Sequence, residues 1–357
     1  MRLFCRIYMK SMEYIGNTES IENKESMHSI ENIENIEGIR NIENIVSMED
    51  IENRVSIEIK SKVDKIKRTM IVLTESYNSA IFKAFKDMQH ISEKLDNLSS
   101  YEKEQVLLDF LGQYQTEKEK IIDIWANTPI DELQGETPSD IINKLKDIDE
   151  VFALFLYMSE NTEEEIPSVL INKMKQFGSE MSDMLIQLAK SSAEPEAQDH
   201  VFAEAVSTLG RMGLYSSVEP MIRLLSDYRE DKSKSEYLEE ALKNIGAPAI
   251  EPIITALENQ NFGEFEFSLL YVLAYVGSKA KDERIYRLIR TAFKTANDKM
   301  PAIVCFAAYK DGKAVTLLRS YLEKNAESLP KQMMYVLLGT IRDLGGEVKE
   351  FMHNLKD

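Results

Sequence analysis

The 357-residue sequence has few of the residues that build disulfide frameworks or membrane spans. Its two cysteines, Cys5 and Cys305, lie far apart in the chain, so we expect no disulfide framework, and a reducing cytoplasm fits. No run approaches the roughly 18 apolar residues of a membrane-spanning helix. Near the N-terminus, Arg6 and Lys10 interrupt any apolar core of an export signal. The sequence therefore predicts a cytoplasmic protein without a membrane span.

Histidine and the common catalytic motifs are also scarce. There is no Gly-x-Gly-x-x-Gly, no phosphate-binding loop ending in Lys-Ser or Lys-Thr, and no Gly-x-Ser-x-Gly elbow. The glutamate runs at 163–165 and 239–240 are typical of solvated helix faces. The four histidines are too far apart for one helix face to gather them: His28, His90, His200 and His353. We therefore expect no metal, no cofactor and no enzymatic activity.

Positive charge is in deficit, since the formal net charge is -18. Phosphate binding needs a cationic surface, so this balance argues against nucleic acid and anionic membranes as partners of the whole molecule. The acidity is uneven. Residues 200–357 hold 21 Lys and Arg against 22 Asp and Glu, so the other 17 net negative charges lie in residues 1–199.

Residues 1–60 form a low-complexity segment with Ile or Met at every third position from Met27 to Ile51, mostly in Ile-Glu-Asn triplets. Three residues advance an α-helix by about 300°, so this apolar row circles the helix instead of forming one stripe. The period favours disorder or a loosely attached helix. Two alternatives stay open: the segment is a tether for self-association, or translation begins at an internal methionine such as Met48 or Met70.

Residues 61–165 are predicted to form a helical domain of two long helices followed by two short ones. Ser99 and Glu102 have the spacing of a capping box, and Thr137 before Pro138 marks another helix start. The single tryptophan, Trp125, has two interpretations. It either packs two helices together or forms an exposed hot spot for a peptide, and the packing role is favoured.

Residues 166–357 carry a helical pattern that returns six times, with a glycine at each internal turn. The glycines are separated by 35, 33, 31, 35 and 33 residues: Gly178, Gly213, Gly246, Gly277, Gly312 and Gly345. Glycine suits such a turn because it takes the left-handed conformation without a Cβ penalty, so we predict a positive φ at each. After each glycine, apolar residues recur at i, i+3, i+4 and i+7, which predicts an amphipathic second helix. The same spacing predicts first helices over residues 202–209, 238–245, 269–276 and 334–341. The clearest copy runs from Gly246 through Pro248 to Leu257. Because such helix pairs bury their apolar faces only by stacking, we predict an all-α protein ending in an α-solenoid.

The Gly-x-Pro turn and following apolar helix, best at 246–257 and 213–225, resemble the HEAT-like repeats of the bacterial and bilin-lyase type. This resemblance implies a curved stack whose second helices line a concave binding surface. It also implies an alternative function, a lyase or chaperone-like role on a tetrapyrrole.

The most specific functional hint is a set of basic residues on the second helix after Gly277, which we call the basic stripe: Arg284, Arg287, Arg290 and Lys294. At 100° per residue they fall within about 120° of arc, opposite the apolar residues of the same helix. We expect this stripe to bind a protein or acidic peptide, which makes the chain a scaffold or adaptor. Two alternatives stay open: an ordinary polar face partly neutralised by Asp282 and Glu283, or a nucleic-acid site.

Overall fold

The computed structural model describes residues 64–83, 116–162, 164–192, 199–258, 260–349 and 351. The all-α class is confirmed for these residues, whose one β-type contact is an isolated antiparallel bridge between Ile130 and Glu136. None of the described helices is long and apolar enough to cross a membrane. Residues 1–60, with their Ile-Glu-Asn triplets, and the Ser99–Glu102 capping box lie outside the described residues.

The chain divides into two compact units, residues 1–72 and 73–357. Of the first unit the structure describes residues 64–72, which are helical. The second unit contains helical residues 73–83 and 116–127, followed by thirteen α-helices with defined bounds. They are α1 (Pro138–Lys144), α2 (Ile148–Asn161), α3 (Ser168–Lys175), α4 (Gly178–Ser191), α5 (Asp199–Met212), α6 (Tyr215–Asp227), α7 (Lys232–Ile245), α8 (Ile250–Leu257), α9 (Glu264–Gly277), α10 (Glu283–Thr295), α11 (Met300–Tyr309), α12 (Ala314–Asn325) and α13 (Lys331–Asp343). The predicted domain limits at 60/61 and 165/166 stay a prediction.

The helices of the second unit contact one another in two rows. In the first row, each helix of α3, α5, α7, α9, α11 and α13 packs against the next. In the second row, each helix of α4, α6, α8 and α10 packs against the next. These four helices and α12 also pack on helices of the first row. Successive helices from α3 to α11 therefore belong alternately to the first and the second row.

Apolar periodicity decides which face of each helix is buried. On α7 the predicted stripe of Leu238, Ala241, Leu242 and Ile245 is buried throughout. Burying a Leu or Ile side chain stabilises a fold by about 1.5–3 kcal/mol, so these stripes drive the packing between rows. Helix α11, which was not among the predicted helix pairs, has a stripe of the same spacing in Ala302, Cys305, Phe306 and Tyr309.

Four of the six turn glycines adopt the predicted positive φ, and two do not. Gly246 has φ 74° and ψ -135°, a conformation that side chains with a Cβ disfavour, and Pro248 follows in a short 3₁₀ turn before α8. Gly178, Gly213 and Gly345 also have positive φ. Gly277 instead ends α9 where a Cβ would overlap Cδ1 of Ile285, so close packing is what requires glycine there.

In the turns of Gly277 and Gly312, the left-handed residue is a lysine. Lys281 has φ 54° in the turn after Gly277, and Lys310 has φ 58° in the turn before Gly312. The predicted positive φ was therefore wrong at Gly277 and Gly312. The positive φ falls four residues after Gly277, at Lys281, and two residues before Gly312, at Lys310.

The helical part before the rows confirms the predicted helix start at Thr137 and the packing role of Trp125. The Thr137 side chain accepts the Asp140 N–H at 3.1 Å, and the Asp147 side chain accepts the Asp149 N–H at 2.9 Å. Trp125 is 5% exposed, and its indole N–H donates to Ser76 Oγ at 2.9 Å. A buried, hydrogen-bonded indole joins two helical segments and is not available as a peptide hot spot.

Candidate functional site: a basic stripe and an acidic groove

The basic stripe lies on α10, whose start is fixed by a side-chain cap. Asp282 accepts the Arg284 backbone N–H at 2.9 Å, and Ile285, Ile289 and Phe293 are buried on the opposite face. All four residues of the basic stripe are exposed and lie on the side of α10 away from these buried residues.

Arg284 is neutralised by two carboxylates. Its guanidinium pairs with Glu251 of α8, including Nη1 to Oε2 at 3.1 Å, and with Asp282 at 2.6 Å. Hydrogen bonds from the guanidinium hold the pKa of both carboxyl groups below their ordinary values and raise the pKa of Arg284. Arg284 therefore ties α10 to α8 and contributes little free positive charge.

The other three residues form the unpaired part of the basic stripe: Arg287, Arg290 and Lys294. None makes an ion pair or side-chain hydrogen bond with any residue that the structure describes. Asp282, expected to neutralise this face, binds Arg284, and Glu283 binds Lys313, the residue before α12, at 2.8 Å. Asp282 and Glu283 are therefore paired at the first turn of α10 and do not neutralise Arg287, Arg290 or Lys294.

Of the lysines that flank α10, Lys281 and Lys299 cap helix ends and do not extend the basic stripe. The Lys281 ammonium donates to the carbonyls of Tyr309 and Lys310, each at 2.8 Å, at the end of α11. Lys299 donates to the carbonyls of Lys294 and Ala296 at the end of α10. Ammonium groups in these positions satisfy the last carbonyls of a helix, which makes both residues structural. Lys279 is exposed.

A groove of about 690 Å³ lies on the first-row side of the second unit, formed by α2, α5, α7 and the segment after α2. Its lining includes no Lys or Arg and five glutamates: Glu160, Glu164, Glu165, Glu204 and Glu240. His200 and the exposed ring of Tyr237 also line it. The groove is thus opposite in charge to the basic stripe and belongs to the other row of helices.

Glu204 is the most unusual group in the groove. Its Oε1 accepts the Ile166 N–H and the Thr208 hydroxyl, both at 3.4 Å, and burial raises the pKa of its carboxyl group. Partial burial also raises the pKa of Glu160. A raised carboxyl pKa in a cleft is a common mark of a functional site, although structural networks produce it too.

Sequence reasoning missed this groove. It assigned the glutamates at 163–165 and 239–240 to solvated faces, and Glu164 in fact pairs with the buried Lys118 at 2.7 Å. The Tyr77 hydroxyl donates to the Glu165 carbonyl at 2.6 Å, across 88 positions of sequence. A contact at that separation leaves no periodic signal. The small residues Ala203 and Ser207 beside Glu204 were the one local indication of a cleft.

The described residues offer no set of ligands for a metal and no reactive thiol. Among them, no group of three or more His, Cys, Asp or Glu residues could hold a metal ion. Burial raises the pKa of the Cys305 thiol to about 12, so this side chain behaves as a small apolar residue.

Comparison with known proteins identifies no family. No family model matches the chain, and no curated protein matches it. A solved structure described as "Computational Design of Self-Assembling Cyclic Protein Homooligomers" is 14% identical, covers 82% of this chain and 97% of its own, and has a TM-score of 0.19. At that score the likeness carries no inference about fold or function.

Proposed function

We propose that this chain is a non-enzymatic scaffold or adaptor with HEAT-like solenoid architecture, and that its basic stripe binds an acidic peptide segment of a partner protein. The observation that carries the proposal is that Arg287, Arg290 and Lys294 are exposed and aligned, with no ion pair to the described residues. Nearby Arg284 and Lys313 are paired. Unpaired charges of one sign on a rigid helix are available for a partner.

The solenoid part of the proposal rests on the repeated helix pairs. Each first-row helix packs on the next first-row helix, and apolar stripes fill the space between the rows. Stacked repeats of this kind present extended surfaces on which a peptide can lie. Guanidinium groups donate two parallel hydrogen bonds to a carboxylate, which favours acidic peptides over neutral ones.

The test is a fluorescence anisotropy titration with a fluorescein-labelled peptide of Glu, Asp and Gly, set against a matched peptide of Gln, Asn and Gly. We expect Arg287→Glu/Arg290→Glu to weaken binding of the acidic peptide by at least about tenfold, because two attractions become repulsions. The control is Lys190→Glu/Lys324→Glu, which makes the same charge change on the exposed faces of α4 and α12. Equal affinity of wild type and the α10 variant would refute the basic stripe as the site.

The two other functions suggested by the sequence are tested on the same purified protein. A lyase or chaperone-like role predicts a shift in the absorbance of added biliverdin or haem. Nucleic-acid binding predicts a salt-dependent gel shift with duplex DNA. At protein concentrations that bind all of the acidic peptide, we expect neither an absorbance shift nor a gel shift. Either signal, if the α10 variant abolished it, would refute the acidic-peptide proposal in favour of that function.

A further inference from the structure

The acidic groove is a second candidate site, independent of the basic stripe. Glu160 comes from α2, Glu204 from α5, and Tyr237 and Glu240 from α7, so three helices of the second unit converge on it. Its volume of about 690 Å³ falls in the range of sites that take a small molecule or several side chains. The groove therefore has room for part of a peptide.

Most acidic groups of the groove already have a basic partner. Glu164 pairs with Lys118 at 2.7 Å, and Glu240 pairs with Lys243 at 3.3 Å. Glu165 lies 3.9 Å from Arg211. These carboxylates are compensated by the protein itself, and a ligand would gain little from them.

Glu204 and Glu160 differ, because neither lies within 4.0 Å of a Lys or Arg nitrogen that the structure describes. Arg211 acts on Glu204 only as a more distant charge. For Glu204, Oε1 takes both hydrogen bonds from described residues, at the long distance of 3.4 Å, and Oε2 takes none. A half-buried carboxylate held this weakly costs free energy in the folded state. A cation bound next to Glu204 would lower that free energy.

Among the described residues, no group of three or more His, Cys, Asp or Glu could hold a metal ion, so an organic cation is the ligand considered. The ring of Tyr237, 44% exposed, and the amide of Asn244 line the same groove. An aromatic face next to a carboxylate suits a guanidinium group, which stacks on rings and donates two hydrogen bonds to one carboxylate.

We propose that this groove binds an arginine side chain of a basic peptide, with Glu204 and Glu160 as its anionic contacts and Tyr237 as its aromatic contact. The chain then carries two sites of opposite charge on opposite rows of helices. The groove site does not depend on the basic stripe, and either can fail without the other.

The experiment is an anisotropy titration with a fluorescein-labelled Gly-Ser peptide that contains two arginines. The matched probe replaces both arginines by citrulline, a neutral residue of the same shape. We expect wild type to bind the arginine peptide at least about tenfold more tightly than the citrulline peptide, as for a hydrogen bond between charged groups. Equal binding of the two peptides would overturn the proposal.

Variants then locate the binding. Glu204→Gln keeps an oxygen for the Ile166 N–H and Thr208 bonds, so we expect it to stay folded and to lose about tenfold in affinity. The control, Glu219→Gln on α6, removes the same charge outside the groove and should bind within about twofold of wild type.

Should Glu204→Gln fail to fold, Glu160→Gln and Tyr237→Ala at the exposed rim take its place, with the same expected loss. Unchanged affinity in the groove variants, or an equal loss in Glu219→Gln, would overturn the proposal. Arg287→Glu/Arg290→Glu should leave the affinity for the arginine peptide unreduced.

Discussion

Gly210 is the position where the contact between α5 and α7 leaves least room. A Cβ added to Gly210 would lie 2.8 Å from Cα, 2.9 Å from O and 3.0 Å from Cβ of Ala241. Ordinary contacts of a Cβ are 3.4–4 Å, and two of these three atoms belong to the backbone, which cannot rotate away. Gly210→Ala must therefore push the two helices apart by roughly half an ångström or more, and overpacking of this kind costs about 1–3 kcal/mol.

Alanine also has a higher helix propensity than glycine, which offsets about 1 kcal/mol of that cost. Because the clash is with backbone, we take the upper end of the overpacking range and expect a net loss of about 2 kcal/mol. With an entropy of unfolding of about 2.1 cal/mol/K per residue over residues 73–357, that corresponds to a melting temperature lower by about 3 °C. Circular dichroism at 222 nm during a thermal scan measures it.

The matched control is Gly339→Ala. Gly339 also lies inside a helix, α13, but a Cβ there meets nothing within 4 Å. Without a clash, only the propensity gain of about 0.5–1 kcal/mol remains, so this variant should melt higher than wild type. A Gly210→Ala protein as stable as Gly339→Ala would refute the close approach of α5 and α7.

Two further predictions concern the charged groups. Burial raises the pKa of Glu204 above its ordinary value of 4.5, so the stability it contributes is present below pH 4.5 and is lost as pH rises through the folded pKa. Glu204→Gln should therefore raise the melting temperature at pH 7 by an amount that disappears toward pH 4, and a gain independent of pH would contradict this. Glu251→Gln should leave Arg284 paired with Asp282 alone. We therefore expect it to tighten binding of the acidic peptide by about two- to threefold, measured by anisotropy. Weaker binding would show that Arg284 acts only as a structural group.

The sequence was sufficient for features that depend on local spacing. The stripe on α5, Phe202, Ala205, Val206 and Leu209, is wholly buried as predicted, because a period of 3.6 residues directly marks the inner face of a helix. The Thr137 cap was also correct, since its chemistry involves residues only three positions apart.

The sequence could not reveal features that join distant segments. Glu251 and Arg284 are 33 positions apart, so their ion pair became visible only once α8 and α10 packed together. The acidic groove depends in the same way on α2, α5 and α7. Gly277 shows a subtler limit: its recurrence was read correctly, but its cause is the Ile285 side chain and not a left-handed turn.

The central claim is that the basic stripe of α10 selects the partner. The most direct measurement is affinity capture from a lysate of the native cells, with wild type, Arg287→Glu/Arg290→Glu and the control Lys190→Glu/Lys324→Glu compared by quantitative mass spectrometry. The account predicts that a protein with an acidic segment is captured by wild type and by the control and is lost from the α10 variant. An identical set of captured proteins for all three would contradict it.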